Sequence, residues 1–322
     1  MKSRGTAIEV SGLRKAFGGT VVLDDLDLTV AEGTVFALLG PNGSGKTTTV
    51  DILSTLTPAD AGTVRVGGHD VAREPDAVRA AIAVTGQFTA VDNLLTGAEN
   101  LRLMADLLHL ERREGRRRAA GLLERFDLVE AAATSPVTYS GGMRRKLDLA
   151  MGLMGDPRIV FLDEPTTGLD PRSRRAVWDV VRGLVADGVT VLLTTQYLDE
   201  ADQLADRIGV LDGGRLVAEG TAAELKRLVP GGSVRLQFAE RQPLDDAALV
   251  LRGATVDADA LTLEVASDGS VRALKDVLAR LNEAEVEFAD VTVHRPDLDD
   301  VFLALTGRPT TERPADEKVP TP

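Results

Sequence analysis

A chain of 322 residues, 43% of them hydrophobic, is long enough for more than one domain and supplies a substantial core. A net charge of −13 argues against a sequence-independent grip on nucleic acid, and zero cysteines leave no disulfide framework, thiolate metal site or thiol nucleophile. No apolar run approaches the ~18 residues that cross a bilayer; the start, Met-Lys-Ser-Arg-Gly-Thr, has charge but no apolar stretch behind it, so a cytosolic chain without a secretory signal is expected.

The first chemistry-bearing element lies between an apolar strand run, Val35 to Leu39, and a helical run, Thr47 to Leu56. Residues 40 to 47 read Gly-Pro-Asn-Gly-Ser-Gly-Lys-Thr, a complete phosphate loop. Gly40, Gly43 and Gly45 let the backbone turn its N–H groups inward, where phosphate oxygens also meet the positive end of the following helix. Lys46 then reaches the β- and γ-phosphates and the Thr47 hydroxyl ligates Mg²⁺. Pro41, Asn42, Ser44 and Thr48 complete the expected nucleotide-contacting set, so the chain is expected to bind a nucleoside triphosphate.

After a strand at Ile82 to Thr85, the stretch from about 90 to 155 is mainly helical, with helices expected at Ala98 to Leu108 and Arg116 to Phe126. Gly115 interrupts the basic run Arg112 to Arg118, which is read as a solvated helix face, the other reading being a surface near anionic headgroups. At Tyr139 to Met143 the chain reads Tyr-Ser-Gly-Gly-Met and opens directly into another apolar-periodic helix, again the composition of an anion-binding helix end. The buried-strand run Ile-Val-Phe-Leu from Ile159 then ends in Asp163 and Glu164. Strand ends deliver side chains to the rim where ligands bind in open α/β sheets. Asp163 suits a Mg²⁺-positioning carboxylate and Glu164, on the other side of the strand, a base that polarises water; a solvated turn is the plainer alternative. Two phosphate-binding helix ends but one carboxylate strand are most economically reconciled by a composite site, in which Ser140, Gly141 and Gly142 cap the nucleotide of a second copy.

Alternating strands and helices over residues 1 to about 230 predict a mixed α/β core with parallel strands and a helical subdomain. Pro230-Gly231-Gly232 marks a turn or linker. Strand-like Val234 to Phe238 and Leu261 to Val265, helix-like Ser270 to Leu281, strand-like Val286 to Val293 and helix-like Leu298 to Leu305 then predict a small α+β domain over 231–307. This domain has 15 acidic and 7 basic residues, a net −8 that does not favour docking on lipid. The stretch 308–322, rich in Pro and Thr, is expected to be disordered.

With these motifs in this order the sequence resembles the ATP-binding-cassette (ABC) family, whose signature loop is usually Leu-Ser-Gly-Gly-Gln; Tyr139 and Met143 depart from it at the outer positions. The resemblance implies a phosphate-loop NTPase core of cassette type. It implies that Phe17, ahead of the first long strand, stacks on adenine, against which stands an ordinary buried phenylalanine. It makes Gln87 the amide that senses Mg²⁺ and the γ-phosphate, and Gly168-Leu169-Asp170 the loop that crosses the dimer interface. Asp170 before Pro171 also has the form of a helix N-cap. Where cassettes usually place a histidine after the strand Thr190 to Thr195, this chain has Gln196, which can donate to a phosphate but cannot carry a proton.

Leu298-Asp299-Asp300-Val301-Phe302-Leu303 is similar to an element of the drug and natural-product exporter branch, of daunorubicin-resistance type. On its own it reads as an amphipathic helix on a sheet. The family implies an ATPase, closing as a homodimer on two Mg·ATP and driving efflux through a separate transmembrane permease at the inner face of the cell membrane. The alternative is a soluble nucleotide-dependent assembly or regulatory module with little hydrolysis, favoured by Gln196 and opposed by Glu164.

Overall fold

The computed structural model describes residues 5–87, 89–229, 232–267, 270–294 and 296–307, and the chain divides into two compact units on either side of the Ala222–Ala223 bond. In the first, β1 (Thr6–Phe17) and β2 (Thr20–Ala31) form a long hairpin. They are followed by β3 (Val35–Leu39), α1 (Lys46–Leu53), β4 (Ala61–Val66), β5 (His69–Asp70), α2 (Pro75–Ala81) and β6 (Ile82–Thr85). Three helices come next, α3 (Gly97–Leu107), α4 (Arg112–Arg125) and α5 (Gly141–Gly152). The unit is completed by β7 (Ile159–Asp163), α6 (Pro171–Ala186), β8 (Thr190–Thr195), α7 (Leu198–Leu204), β9 (Arg207–Asp212) and β10 (Arg215–Gly220), with α8 (Ala222–Lys226) at the junction.

The central sheet has the order β10-β9-β3-β8-β7-β6, parallel from β9 to β6 with β10 antiparallel at its edge. Every residue of β3, β7 and β8 is buried, as expected for strands covered on both faces. The expectation of parallel strands therefore holds for this sheet only. A second sheet, β2-β1-β4-β5, is antiparallel throughout. Its alternating residues Ile8, Val10, Leu26, Leu28, Val64 and Val66 join Phe36, Leu38, Ile52 and Phe161 in one core. This period-2 pattern with a polar outer face distinguishes it from the continuous apolar runs of the parallel strands.

In the helical region, α4 begins at Arg112 instead of the expected Arg116 and runs unbroken through Gly115. The glycine serves packing: a Cβ there would lie 2.8 Å from the Ala105 Cβ on α3. Within α4, Glu114 pairs with Arg117 at 2.6 Å and Arg118 at 2.7 Å, which drops the Glu114 carboxyl to about 2. Among the described residues no helix is long and apolar enough to cross a membrane.

The second unit contains β11 (Gly232–Gln237), α9 (Arg241–Val250), β12 (Thr255–Asp257), β13 (Thr262–Ser267), α10 (Val271–Glu283), β14 (Asp290–His294) and α11 (Leu298–Thr306). Its sheet is antiparallel with the order β12-β13-β11-β14, the arrangement of two interleaved β-α-β units. Val234 and Leu236 of β11 pack with Leu244 of α9, Leu263 of β13 and Leu281 of α10, while the intervening Arg235 is exposed. The sequence reading missed α9 and β12: α9 follows directly on a strand and contains Pro243, and β12 is three exposed residues without apolar alternation. The last strand begins at Asp290 rather than Val286, although Val286 and Phe288 pack on the core ahead of it. Pro230-Gly231 and the stretch 308–322, read as linker and disordered tail, lie outside the described residues.

Candidate nucleotide site

The site is assembled by sheet order. Parallel pairing sets Leu39 of β3 opposite Thr195 of β8, and Thr194 opposite Asp163 of β7, so three strand ends far apart in sequence meet on one rim. From Leu39 the chain enters the loop 40–45 and then α1, whose first turn contributes Lys46 and Thr47. Gly45 has φ 107°, and a Cβ on it would stand 2.6 Å from Leu23 Cδ2, so only glycine lets the loop turn here.

Lys46 is buried, and its Nζ donates to the carbonyls of Gly40 at 2.8 Å and Pro41 at 3.1 Å while lying 3.4 Å from Glu164 Oε1. Burial lowers its pKa, opposed by the charges of Glu164 and Asp163. The Ser44 hydroxyl is buried without a hydrogen-bond partner among the described residues. An orphaned hydroxyl, a desolvated ammonium and the unbonded first N–H groups of a helix fit a polyphosphate in this cradle.

Thr47 Oγ1 donates to Asp163 Oδ2 at 2.9 Å, and Asp163 Oδ1 accepts from Thr194 Oγ1 at 2.5 Å. Two hard oxygen groups side by side suit Mg²⁺, which completes its shell from phosphates and water rather than from an all-protein cage. The described residues contain no cluster of three or more His, Cys, Asp or Glu able to hold a metal. Glu164 lies just beyond β7 with φ 46°, so strict strand alternation ends at Asp163. Its amide donates to Thr194 Oγ1 at 3.0 Å, and its Oε2 accepts from Gln87 Nε2 and Thr167 Oγ1, both at 3.2 Å. Both carboxylates are less than a tenth exposed, which excludes the solvated-turn alternative.

Phe17 ends β1 instead of preceding the first long strand. It is 51% exposed, so it is not a core phenylalanine; Lys15 Nζ sits 5.0 Å from the ring centroid and also pairs with Asp60 at 2.9 Å. Gln196 follows β8 and is half-buried, and the next residue, Tyr197, has its ring 4.7 Å from the Arg174 guanidinium.

Ser140 caps α5, accepting from Met143 N at 3.2 Å. A Cβ on Gly142 would stand 2.7 Å from Ser173 Oγ, and one on Gly141 3.3 Å from Leu169, so the two glycines press against the start of α6. There Asp170 is an N-cap, accepting from Arg172 N at 2.9 Å, Ser173 N at 3.0 Å and Ser173 Oγ at 2.6 Å, hydrogen bonds that lower its pKa. Tyr139, where the family pattern has leucine, is buried, and its hydroxyl donates to Ala131 O at 2.6 Å. The departure is thus a packing solution that satisfies its polar atom.

Sequence reasoning missed Arg145 and Asp148 on α5 and Glu200 on α7, all buried charged residues beside these motifs. The available signal was charge on the inward stripe of an otherwise apolar helix face. Glu200 is fully buried, accepts from Trp178 Nε1 at 3.1 Å, and has its pKa raised by burial.

A phosphate loop on β3, a carboxylate strand two positions away in the same sheet and a helical insert between them define an ATP-binding cassette. The chain belongs to the ABC transporter family, whose model matches residues 23–167. Over nearly its whole length it is similar to drug-resistance ATP-binding proteins. It is 54% identical to the daunorubicin resistance ATP-binding protein DrrA3 of Streptomyces coeruleorubidus, covering 94% of this chain and 96% of the relative. It is 49% identical to the doxorubicin resistance ATP-binding protein DrrA of Mycobacterium tuberculosis, over 96% of each chain. A solved ATP-binding subunit of an ABC transporter superposes with a TM-score of 0.62 at 31% identity, covering 69% of this chain and 93% of its own. The ADP conformation of another such cassette gives 0.62 at 25% identity, over 68% and 92%.

Proposed function

We propose that this chain binds and hydrolyses ATP to energise export of a drug or antibiotic through a separate membrane-spanning permease. Membership of the family makes it an ATPase coupled to transport. The observation that carries the reading is the convergence of Lys46, Thr47, Asp163, Glu164 and Gln87 on the rim at the end of β3.

In this reading Lys46 leaves the loop carbonyls for the β- and γ-phosphates, a stronger partner for a desolvated ammonium than two neutral oxygens. Gly40, Pro41, Asn42, Gly43, Ser44, Gly45, Thr47 and Thr48 wrap the phosphates, and Phe17 offers its exposed face to the adenine. Thr47, Asp163 and Gln87 would hold Mg²⁺, which neutralises charge developing on the transferred phosphoryl group. Release of Lys46 from Glu164 frees that carboxylate to accept the proton of an attacking water, with Gln87 orienting it. Gln196 donates to the γ-phosphate without moving a proton. Ser140, Gly141 and Gly142 of a second copy cap the nucleotide, and Asp170 shapes the turn facing that interface. The dimer works at the inner face of the cell membrane, attached through the permease.

The alternative, a nucleotide-dependent assembly or regulatory module that barely hydrolyses ATP, is favoured by Gln196 where cassettes usually have histidine. The experiment is phosphate release by wild type beside Glu164→Gln, with sizing in ATP and Mg²⁺. Loss of the base is expected to lower kcat by roughly 10²–10⁴ and to give an ATP-bound species of twice the 34.2 kDa chain mass. If both proteins bind ATP, and neither hydrolyses it nor dimerises, the module reading replaces the motor.

A further inference from the structure

We propose that Arg145 and Asp148 are positioning residues that tie the helix following Ser140 to the segment carrying Gln87, so that the two move together. The inference rests on the roles given above to Ser140 and Gln87.

Arg145 and Asp148 stand three residues apart on α5, 5% and 6% exposed, on the same buried stripe as Gly142 and Leu149. Arg145 Nη1 donates to the carbonyl of Gly86 at 2.8 Å and to Asp148 Oδ2 at 3.2 Å. Asp148 Oδ1 accepts from the amide of Ala90 at 2.9 Å. The two side chains therefore hold the main chain on both sides of Gln87, one residue before it and three after, and Gln87 in turn reaches Glu164. Both grips are on main-chain groups, Gly86 O and Ala90 N.

Packing does not explain the pair. Arg145 Nε and Nη2 are buried without hydrogen-bond partners among the described residues, and burial raises the Asp148 pKa and lowers that of Arg145. Two apolar side chains of similar volume would fill such a stripe at less desolvation cost. What they could not do is bond Gly86 O and Ala90 N, the two polar main-chain groups that bracket the glutamine. Because α5 begins at the Ser140 cap, any rotation of its N-terminus is passed to Gly86 and Ala90 through two short, directional bonds.

Amide hydrogen exchange and steady-state ATP hydrolysis on the full chain test this. Asp148→Ala is expected to speed exchange at Ala90 by at least about tenfold while α1 and β3 keep their protection. The same variant should lower kcat by about tenfold or more with KM for ATP within about twofold, because the phosphate loop is untouched. Asp148→Asn keeps an acceptor for Ala90 N and is expected to restore slow exchange there and return kcat to within about threefold of wild type. Unchanged exchange at Ala90 with unchanged kcat overturns the proposal, as does faster exchange throughout the sheet without recovery in Asp148→Asn. If Asp148→Ala does not fold, Arg145→Met serves instead: it keeps a long side chain but removes the one nitrogen that donates to Gly86 O and Asp148, and wild-type kcat there also overturns it. Gln87→Ala leaves both grips in place. If it hydrolyses ATP like wild type, the role of Gln87 fails, whereas exchange at Ala90 still decides the tie.

Discussion

At the residue scale, the site is a set of polar groups whose partners are each other. Lys46 holds Glu164, Glu164 holds Gln87, and Thr47 holds Asp163, so these five groups each lie within one contact of a neighbour. Glu164 is the one non-glycine here with a left-handed φ, and its amide is pinned by Thr194, which keeps its carboxylate on Lys46 and Gln87. Gln196 is the residue that separates the two functional readings. If Glu164 activates water, a proton-carrying side chain at 196 is dispensable, and Gln196→His should turn over ATP at a rate comparable to wild type. A phosphate-release assay that finds the variant inactive would remove Glu164 from that role.

At the element scale, α5 and α6 meet at their N-termini through Gly142, which has Ser173 against it. Gly142→Ala gains helix propensity of up to about 1 kcal/mol, but its methyl would also contact the Ser173 Cβ at 2.9 Å. Overpacking of this kind costs about 1–3 kcal/mol, so the net change should be destabilising. Gly141→Ala, with 3.3 Å to a flexible leucine, should be milder; paired denaturant titrations check the order. The α6–α7 contact includes the buried Glu200 and its bond from Trp178. Burial raises the Glu200 pKa, so the folded state holds this proton more tightly than the unfolded chain does. Its stabilising contribution is complete below the unfolded value near 4.5 and is lost as pH rises through the folded value. Glu200→Gln does not titrate, and its stability relative to wild type should improve from pH 4.5 to pH 8, by about 1.4 kcal/mol per unit of pKa difference. Thermal melts across that range that stay parallel would show that folding leaves the Glu200 pKa unshifted.

At the scale of the whole molecule, every residue of the candidate site lies in the first unit, and the second unit has a core of its own around Leu236, Leu263 and Leu281. A chain ending at residue 229 should therefore fold and bind Mg·ATP with an affinity close to that of the full protein, measurable by calorimetry. A large loss would assign the second unit a part in forming the site. The acidic excess of residues 231–307 disfavours docking of that region on an anionic lipid surface.

Local chemistry was legible from the chain alone. The glycines and Lys46 of the phosphate loop, the fully apolar runs of β3, β7 and β8 and the Asp170-Pro171 start of α6 each follow from backbone conformation, burial or capping, which depend on a few neighbouring residues. Short or weakly patterned elements such as β12 and α9 were not legible, because their stability comes from contacts with β13 and the shared core instead of from their own periodicity. Sheet order and side-chain pairing needed the tertiary structure. That Thr47 meets Asp163 across 116 positions, that Gln87 lands on Glu164, and that Arg145 and Asp148 bracket Gln87 are consequences of β3, β8, β7 and β6 lying side by side. The sequence by itself determined which groups were present and on what kind of element. Only the packed sheet decided which groups became neighbours, because long-range contacts are set by the burial of whole faces and not by any local preference of the residues that end up touching.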